Sequence, residues 1–139
     1  GFPNISARTA KVCFVGTFTA RGLDLDFEGG RLNIRAEGQL SKFVPEVREI
    51  TFNGQLAGQR GQQVRYITER AVFALGDAGL VLTEIADGLD VERDVLAHMG
   101  FRPQISGELK TMDPRLFRPQ PMGLAADFEK AARMQEARR

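Results

Sequence analysis

The sequence predicts an α/β fold: a β-rich mixed sheet with flanking helices. Three observations carry that expectation. Val12, Cys13, Phe14 and Val15 form an unbroken apolar run of strand length. Leu23, Leu25 and Phe27 alternate with Asp24 and Asp26, and Leu32 and Ile34 alternate with Arg31, Asn33 and Arg35, the period of a strand with one wet face. At Asp90 the period changes, because Val91, Val95, Leu96 and Met99 fall on one face of a helix.

Taken in order, the first apolar run suits a strand buried on both faces, so residues 11–18 are expected in the interior of the sheet. Cys13 there reads as a small, inert, buried hydrophobe. The two alternating stretches flank Gly29-Gly30 and should form a hairpin, with Asp24 and Asp26 facing Arg31 and Arg35 across the strands. Such pairs favour register more than stability. Beyond Pro45 a strand is expected over residues 49–53, followed by an exposed Gln- and Gly-rich loop over residues 55–63. Residues 64–68, 71–75 and 80–85 are rich in strand formers, and the last two should pair across Gly76-Asp77-Ala78-Gly79. Asp90 as N-cap and Gly100 as stop bound a helix of two to three turns. Pro103, Pro114, Pro119 and Pro121 predict an irregular connection, after which Leu124, Phe128, Ala131 and Ala132 predict a surface helix.

Composition narrows the function classes. A chain of 139 residues has room for one core, and 42% hydrophobic and 27% charged residues are ordinary globular values. Nineteen basic against eighteen acidic residues leave no electrostatic footprint for a nucleic acid. No apolar run approaches the roughly 18 residues of a membrane span. The single Cys13 excludes an internal disulfide and a multi-cysteine metal site, so a cytoplasmic setting is expected and no metal site is. The chain opens on Gly1 rather than Met and has no signal-peptide pattern, which suggests a piece of a longer polypeptide.

Few residues stand out chemically. His98, the one histidine, reads as a solvated or packing helix residue. Glu69 and Glu84 each follow an apolar run and could project into a cleft, where burial would raise a carboxyl pKa; the more ordinary reading is a rim position or a partner for Arg65, Arg70 or Arg93. Arginine supplies 15 of the 19 basic residues, scattered as surface charge. No phosphate-loop motif, paired metal-ligand spacing or Gly-x-Gly-x-x-Gly is present. The residues by themselves lead as far as a mixed α/β segment.

Longer words of sequence are more specific. Gly1-Phe2-Pro3-Asn4, the run from Val12 through Gly16-Thr17-Phe18-Thr19-Ala20 to Gly22-Leu23, Lys42-Phe43-Val44, Glu49-Ile50-Thr51-Phe52-Asn53-Gly54, Tyr66-Ile67-Thr68-Glu69-Arg70-Ala71-Val72-Phe73, Leu82-Thr83-Glu84-Ile85-Ala86 and Leu109-Lys110-Thr111-Met112-Asp113 occur in this order. Together they resemble the C-terminal part of family I CoA-transferases, the propionate and acetate CoA-transferase group in particular. The resemblance covers about residues 1–124, and residues 66–73 followed by 82–86 are its most distinctive stretch. It implies the C-terminal part of a NagB/RpiA/CoA transferase-like domain over residues 1–123, with residues 124–139 as a helical extension of no assigned role.

The resemblance further implies a ping-pong exchange of CoA between an acyl-CoA and a free short-chain carboxylate through a glutamyl-CoA thioester. The nucleophilic glutamate of the family belongs to a segment upstream of the part matched here, so no catalytic residue is expected in this chain. Coenzyme A would be a substrate, with no tightly bound cofactor, and the partners would be the upstream part of the same enzyme and, as a homo-oligomer, further copies. Gly1, Phe2 and Asn4 match the end of the family's glycine-rich loop near bound CoA, where a missing side chain lets backbone N–H groups approach the thioester. Only the last glycine of that run is present, Pro3 stands for the usual apolar residue, and Arg21 takes what is commonly a glycine position. Two other readings stay open: a non-catalytic assembly or binding module, and an acyl-CoA hydrolase of the same fold.

Overall fold

The computed structural model describes residues 9–45 and 59–139. Its strands are β1 (Lys11–Val15), β2 (Thr19–Ala20), β3 (Asp24–Asp26), β4 (Asn33–Ala36), β5 (Leu40–Ser41), β6 (Gln63–Ile67), β7 (Ala71–Gly76), β8 (Gly79–Ile85) and β9 (Gln104–Thr111). Five of them form one sheet in the order β1-β6-β7-β8-β9. Its central strands are antiparallel, while β1 joins β6 and β9 joins β8 in parallel. The sheet is therefore mixed, as expected.

Packing on β7 explains why these runs become these strands. Ala71, Val72 and Phe73 are consecutive and all buried, which a strand achieves only when both faces of its sheet are covered. On one face Phe73 meets Phe18, Leu82, Val95 and Leu96; on the other Val72 meets Leu32, Ala86, Met112 and Phe117. Completely buried residues such as Phe73 and Leu82 each stabilise the fold by about 1.5–3 kcal/mol. Both expected hairpins form. β7 turns into β8 with Gly76 opposite Gly79, and β3 pairs with β4 with Arg35 reaching Asp26 at 3.3 Å. Arg31 instead pairs with Asp87 at 3.5 Å.

The structure corrects three expectations. Among the described residues β1 lies at the edge of the sheet, paired with β6 alone, and Val15 is 77% exposed. With one neighbour and one covered face, alternation leaves Lys11, Cys13 and Val15 outward, so Cys13 is exposed rather than buried. The strand buried on both faces is β7. Second, the supposed irregular connection after Gly100 contains β9, eight residues long, and a short 3₁₀ turn, Pro114–Phe117, capped by Asp113. Third, the helix after Asp90 forms but is not a regular α-helix: a π turn, Val91–Val95, runs into a 3₁₀ turn, Leu96–His98. Asp90 caps it as expected, accepting from the Arg93 N–H at 2.8 Å, while Asp94 accepts from the Asp90 N–H at 2.7 Å.

The C-terminal helix is α1 (Leu124–Ala137), exposed throughout and tied to the body by Arg115, which bridges Asp113 and Asp127. Gly1, Phe2, Asn4 and the strand expected over residues 49–53 lie outside the described residues. So does the first part of the loop expected over 55–63; of the rest, residues 59–61 are exposed.

Candidate functional site

The turn between β6 and β7 organises a buried polar cluster. Thr68 closes it, its hydroxyl donating to the Ala71 carbonyl at 2.8 Å and accepting from the Ala71 N–H at 3.0 Å. Glu69 and Arg70 are thereby presented at the end of the sheet. Arg70 has no solvent exposure, and a buried guanidinium requires partners for its charge and its donors. Nη1 and Nη2 donate to both oxygens of Glu37 at 2.6 and 2.9 Å, Nε donates to Glu69 at 2.7 Å, and Nη1 also reaches the Asp94 carbonyl at 3.0 Å. The Phe18 ring lies 4.8 Å below the guanidinium carbon.

Glu69 spends its second oxygen on the Phe18 N–H at 2.8 Å, which fixes the chain just after β1. Glu37 also accepts from the Thr19 hydroxyl and stands 3.4 Å from His98 Nε2. Burial works to raise the Glu37 pKa, but the hydrogen bonds from Arg70 and Thr19 outweigh it and hold the carboxyl below its ordinary value. Burial likewise opposes the Arg70 charge, and the bonds to Glu37 and Glu69 reverse that and raise its pKa. A Cβ on Gly38 would come within 2.5 Å of the Ala20 carbonyl, so a glycine lets β2 and the Glu37 loop close on each other.

This cluster is structural in its chemistry. Every charge in it is neutralised by a neighbour, and no carboxylate is left free as a nucleophile. Glu69 is thus a partner of Arg70, the ordinary reading of its position, and Glu84 stands half-buried on β8 opposite Lys110. His98 packs through the 3₁₀ turn, its carbonyl accepting from Ser41 at 2.7 Å. Glu37 carried no signal in the sequence; its role follows from a contact with a residue 33 positions away.

A second feature can hold a ligand. Beyond the carboxyl ends of the parallel pair β1 and β6 lies an open hollow of about 410 Å³. Phe14 and Tyr66 stack in its wall with ring centroids 5.1 Å apart, Phe43, Leu80 and Phe101 add apolar surface, and Val44 stands at the side. Burial pushes the Tyr66 hydroxyl pKa up. Among the described residues Lys42 is the one charged side chain in the lining; its Nζ donates to Thr17 Oγ1 at 2.8 Å, and no described carboxylate pairs with it. Open α/β sheets bind ligands outside the carboxyl ends of their parallel strands. Among the described residues no group of three or more His, Cys, Asp or Glu could hold a metal ion, and no helix is long and apolar enough to cross a membrane.

The chain is homologous to a segment of CoA-transferases and shares its mixed sheet with one of them. It is 53% identical over 123 residues to the acetate CoA-transferase YdiF of Escherichia coli strain K12, and 43% identical over 117 residues to the caffeate CoA-transferase of Acetobacterium woodii. These alignments take in 88% and 84% of this chain. The chain spans 23% and 22% of the length of those relatives. The crystal structure of YdiF from E. coli O157:H7, a thioester complex with CoA, superposes with a TM-score of 0.84 at 52% identity, over 86% of this chain and 23% of that one. The apoenzyme structure gives the same values. No family model matches the sequence.

Proposed function

We propose that this chain is the C-terminal segment of an acyl-CoA:carboxylate CoA-transferase and that the covalent chemistry is performed by a glutamate upstream of Gly1. The single observation that carries the reading is the 53% identity to YdiF, an acetate CoA-transferase, sustained over 88% of the chain. The carboxylate of the upstream glutamate attacks the acyl-CoA thioester carbonyl, the C–S bond breaks and CoA leaves as thiolate, giving an acyl-glutamyl anhydride. The thiolate returns to the glutamyl carbonyl and releases the free acid, leaving a glutamyl-CoA thioester; an acceptor carboxylate reverses both steps.

In this reading Gly1, Phe2 and Asn4 help shape the thioester site, and the Arg70 cluster positions the segment after β1 through the Glu69 to Phe18 bond. Among the described residues nothing pairs with the outer edge of β1 and Val15 is exposed, which leaves room for further polypeptide beside it. The test assays the complete polypeptide and the 139-residue chain with acetyl-CoA and propionate. Transfer by the complete polypeptide and none by the chain is expected; comparable turnover by the chain would refute the placement of the nucleophile. An acyl-CoA hydrolase would release CoA with no acceptor present.

A further inference from the structure

We propose that the hollow beyond β1 and β6 is the subsite for the acceptor acid, taking a carboxylate with an apolar body of phenyl or medium-chain size and drawing its charged end toward Lys42. The inference rests on the CoA-transferase reading and adds to it the class of acceptor and the side chains that select it. Position comes first: the hollow opens where two parallel strands end, between Gly16-Thr17 after β1 and Thr68 after β6.

Its lining comes second. About 410 Å³ lies within the ordinary range for small-ligand sites, and a two-carbon acid would leave most of it unfilled. The stacked Phe14 and Tyr66 rings and Phe43 offer flat apolar walls against which an aryl or alkyl body packs. Charge comes third. Among the described residues Lys42 makes one hydrogen bond, to Thr17, and an ammonium carries three donors, so in that setting two face the hollow for a carboxylate. A purely apolar ligand would leave that cation unused, and a polyphosphate would meet one cation and a wall of aromatic rings. An amphiphilic monoanion uses both parts.

The experiment uses the complete enzyme with propionyl-CoA as donor and compares 3-phenylpropionate with acetate as acceptor. Val44→Trp places a ring in the hollow from its exposed side, and the ratio of kcat/KM for 3-phenylpropionate to that for acetate should fall at least tenfold. Lys42→Ala should raise KM for 3-phenylpropionate about tenfold with little change in kcat, the loss of one charge-assisted hydrogen bond, and Lys42→Arg should recover most of it. Circular dichroism and thermal melts check that each variant folds. An unchanged ratio in a folded, active Val44→Trp enzyme, together with an unchanged KM in Lys42→Ala, would overturn the subsite while leaving the transferase reading intact. A wild-type enzyme that transfers CoA to neither acid would overturn both.

Discussion

Arg70 holds Glu37 with both arms of its guanidinium, 2.6 Å from Nη1 to Oε2 and 2.9 Å from Nη2 to Oε1, at a position with no solvent exposure. The pair joins the β6–β7 turn to the loop between β4 and β5, and Glu69 extends it to the chain after β1. Removing one partner of a buried pair strands the other charge, a larger loss than the pair's own net stabilisation. Arg70→Ala should therefore destabilise the protein by about 3–5 kcal/mol, read from urea denaturation. A variant with an unfolding midpoint equal to the wild type would show that the cluster is not holding these segments.

The same pair sets an acid limit. The folded-state pKa of Glu37 is depressed from 4.5, so the stability it contributes is fully present above about 4.5 and is lost as pH falls through the lower folded value. Stability measured downward from pH 6 should decline below about pH 4.5, and Glu37→Gln should flatten that decline while lowering stability at neutral pH. An unaltered pH profile in Glu37→Gln would assign the acid sensitivity to other carboxylates.

Arg21 sits at φ 59°, in the left-handed region, with its carbonyl accepting from Gln39 at 2.9 Å. A side chain there costs roughly 1–2 kcal/mol, which glycine avoids at some cost in unfolded-chain entropy. Arg21→Gly should raise stability by about 0.5–1 kcal/mol, read as a higher denaturation midpoint. The residue that resembled a departure from a family glycine thus stands where the backbone favours one.

The hairpins, the capped turn after Asp90 and the terminal helix were legible because each depends on local pattern: alternation about a glycine turn, an Asp N-cap, apolar residues at helical spacing. What depends on neighbours was not. Residues 12–15 and 71–75 are both apolar runs, and only the sheet order makes the second central and, among the described residues, the first an edge. β9 escaped notice because it is an exposed strand in which Ser106, Gly107 and Glu108 interrupt any apolar alternation. Arg70 was visible as a possible partner of Glu69, whereas Glu37, the other half of its pairing, is brought up by tertiary contact alone. The hollow escaped for the same reason: Lys42, Tyr66 and Phe101 come from three separate stretches of chain.

Gly1 carries the most direct expectation for catalysis in the complete enzyme. A β-branched residue there would block close approach of backbone donors to the thioester oxygen, and a lost oxyanion contact lowers turnover on the order of a hundredfold. Gly1→Val should show that loss with an unchanged thermal melt, and Asn4→Ala a milder one. Wild-type rates in a folded Gly1→Val enzyme would make the loop scaffold only.

The point at which CoA becomes covalently attached locates the nucleophile. The complete polypeptide is incubated with propionyl-CoA without an acceptor, digested, and its peptides examined by mass spectrometry, with released propionate measured alongside. One CoA per chain on a glutamate upstream of Gly1, cleaved by hydroxylamine and matched by released propionate, is the predicted result. CoA attached to Glu37, Glu69 or Glu84, or rapid transfer to added carboxylate with no adduct at any glutamate, would contradict it.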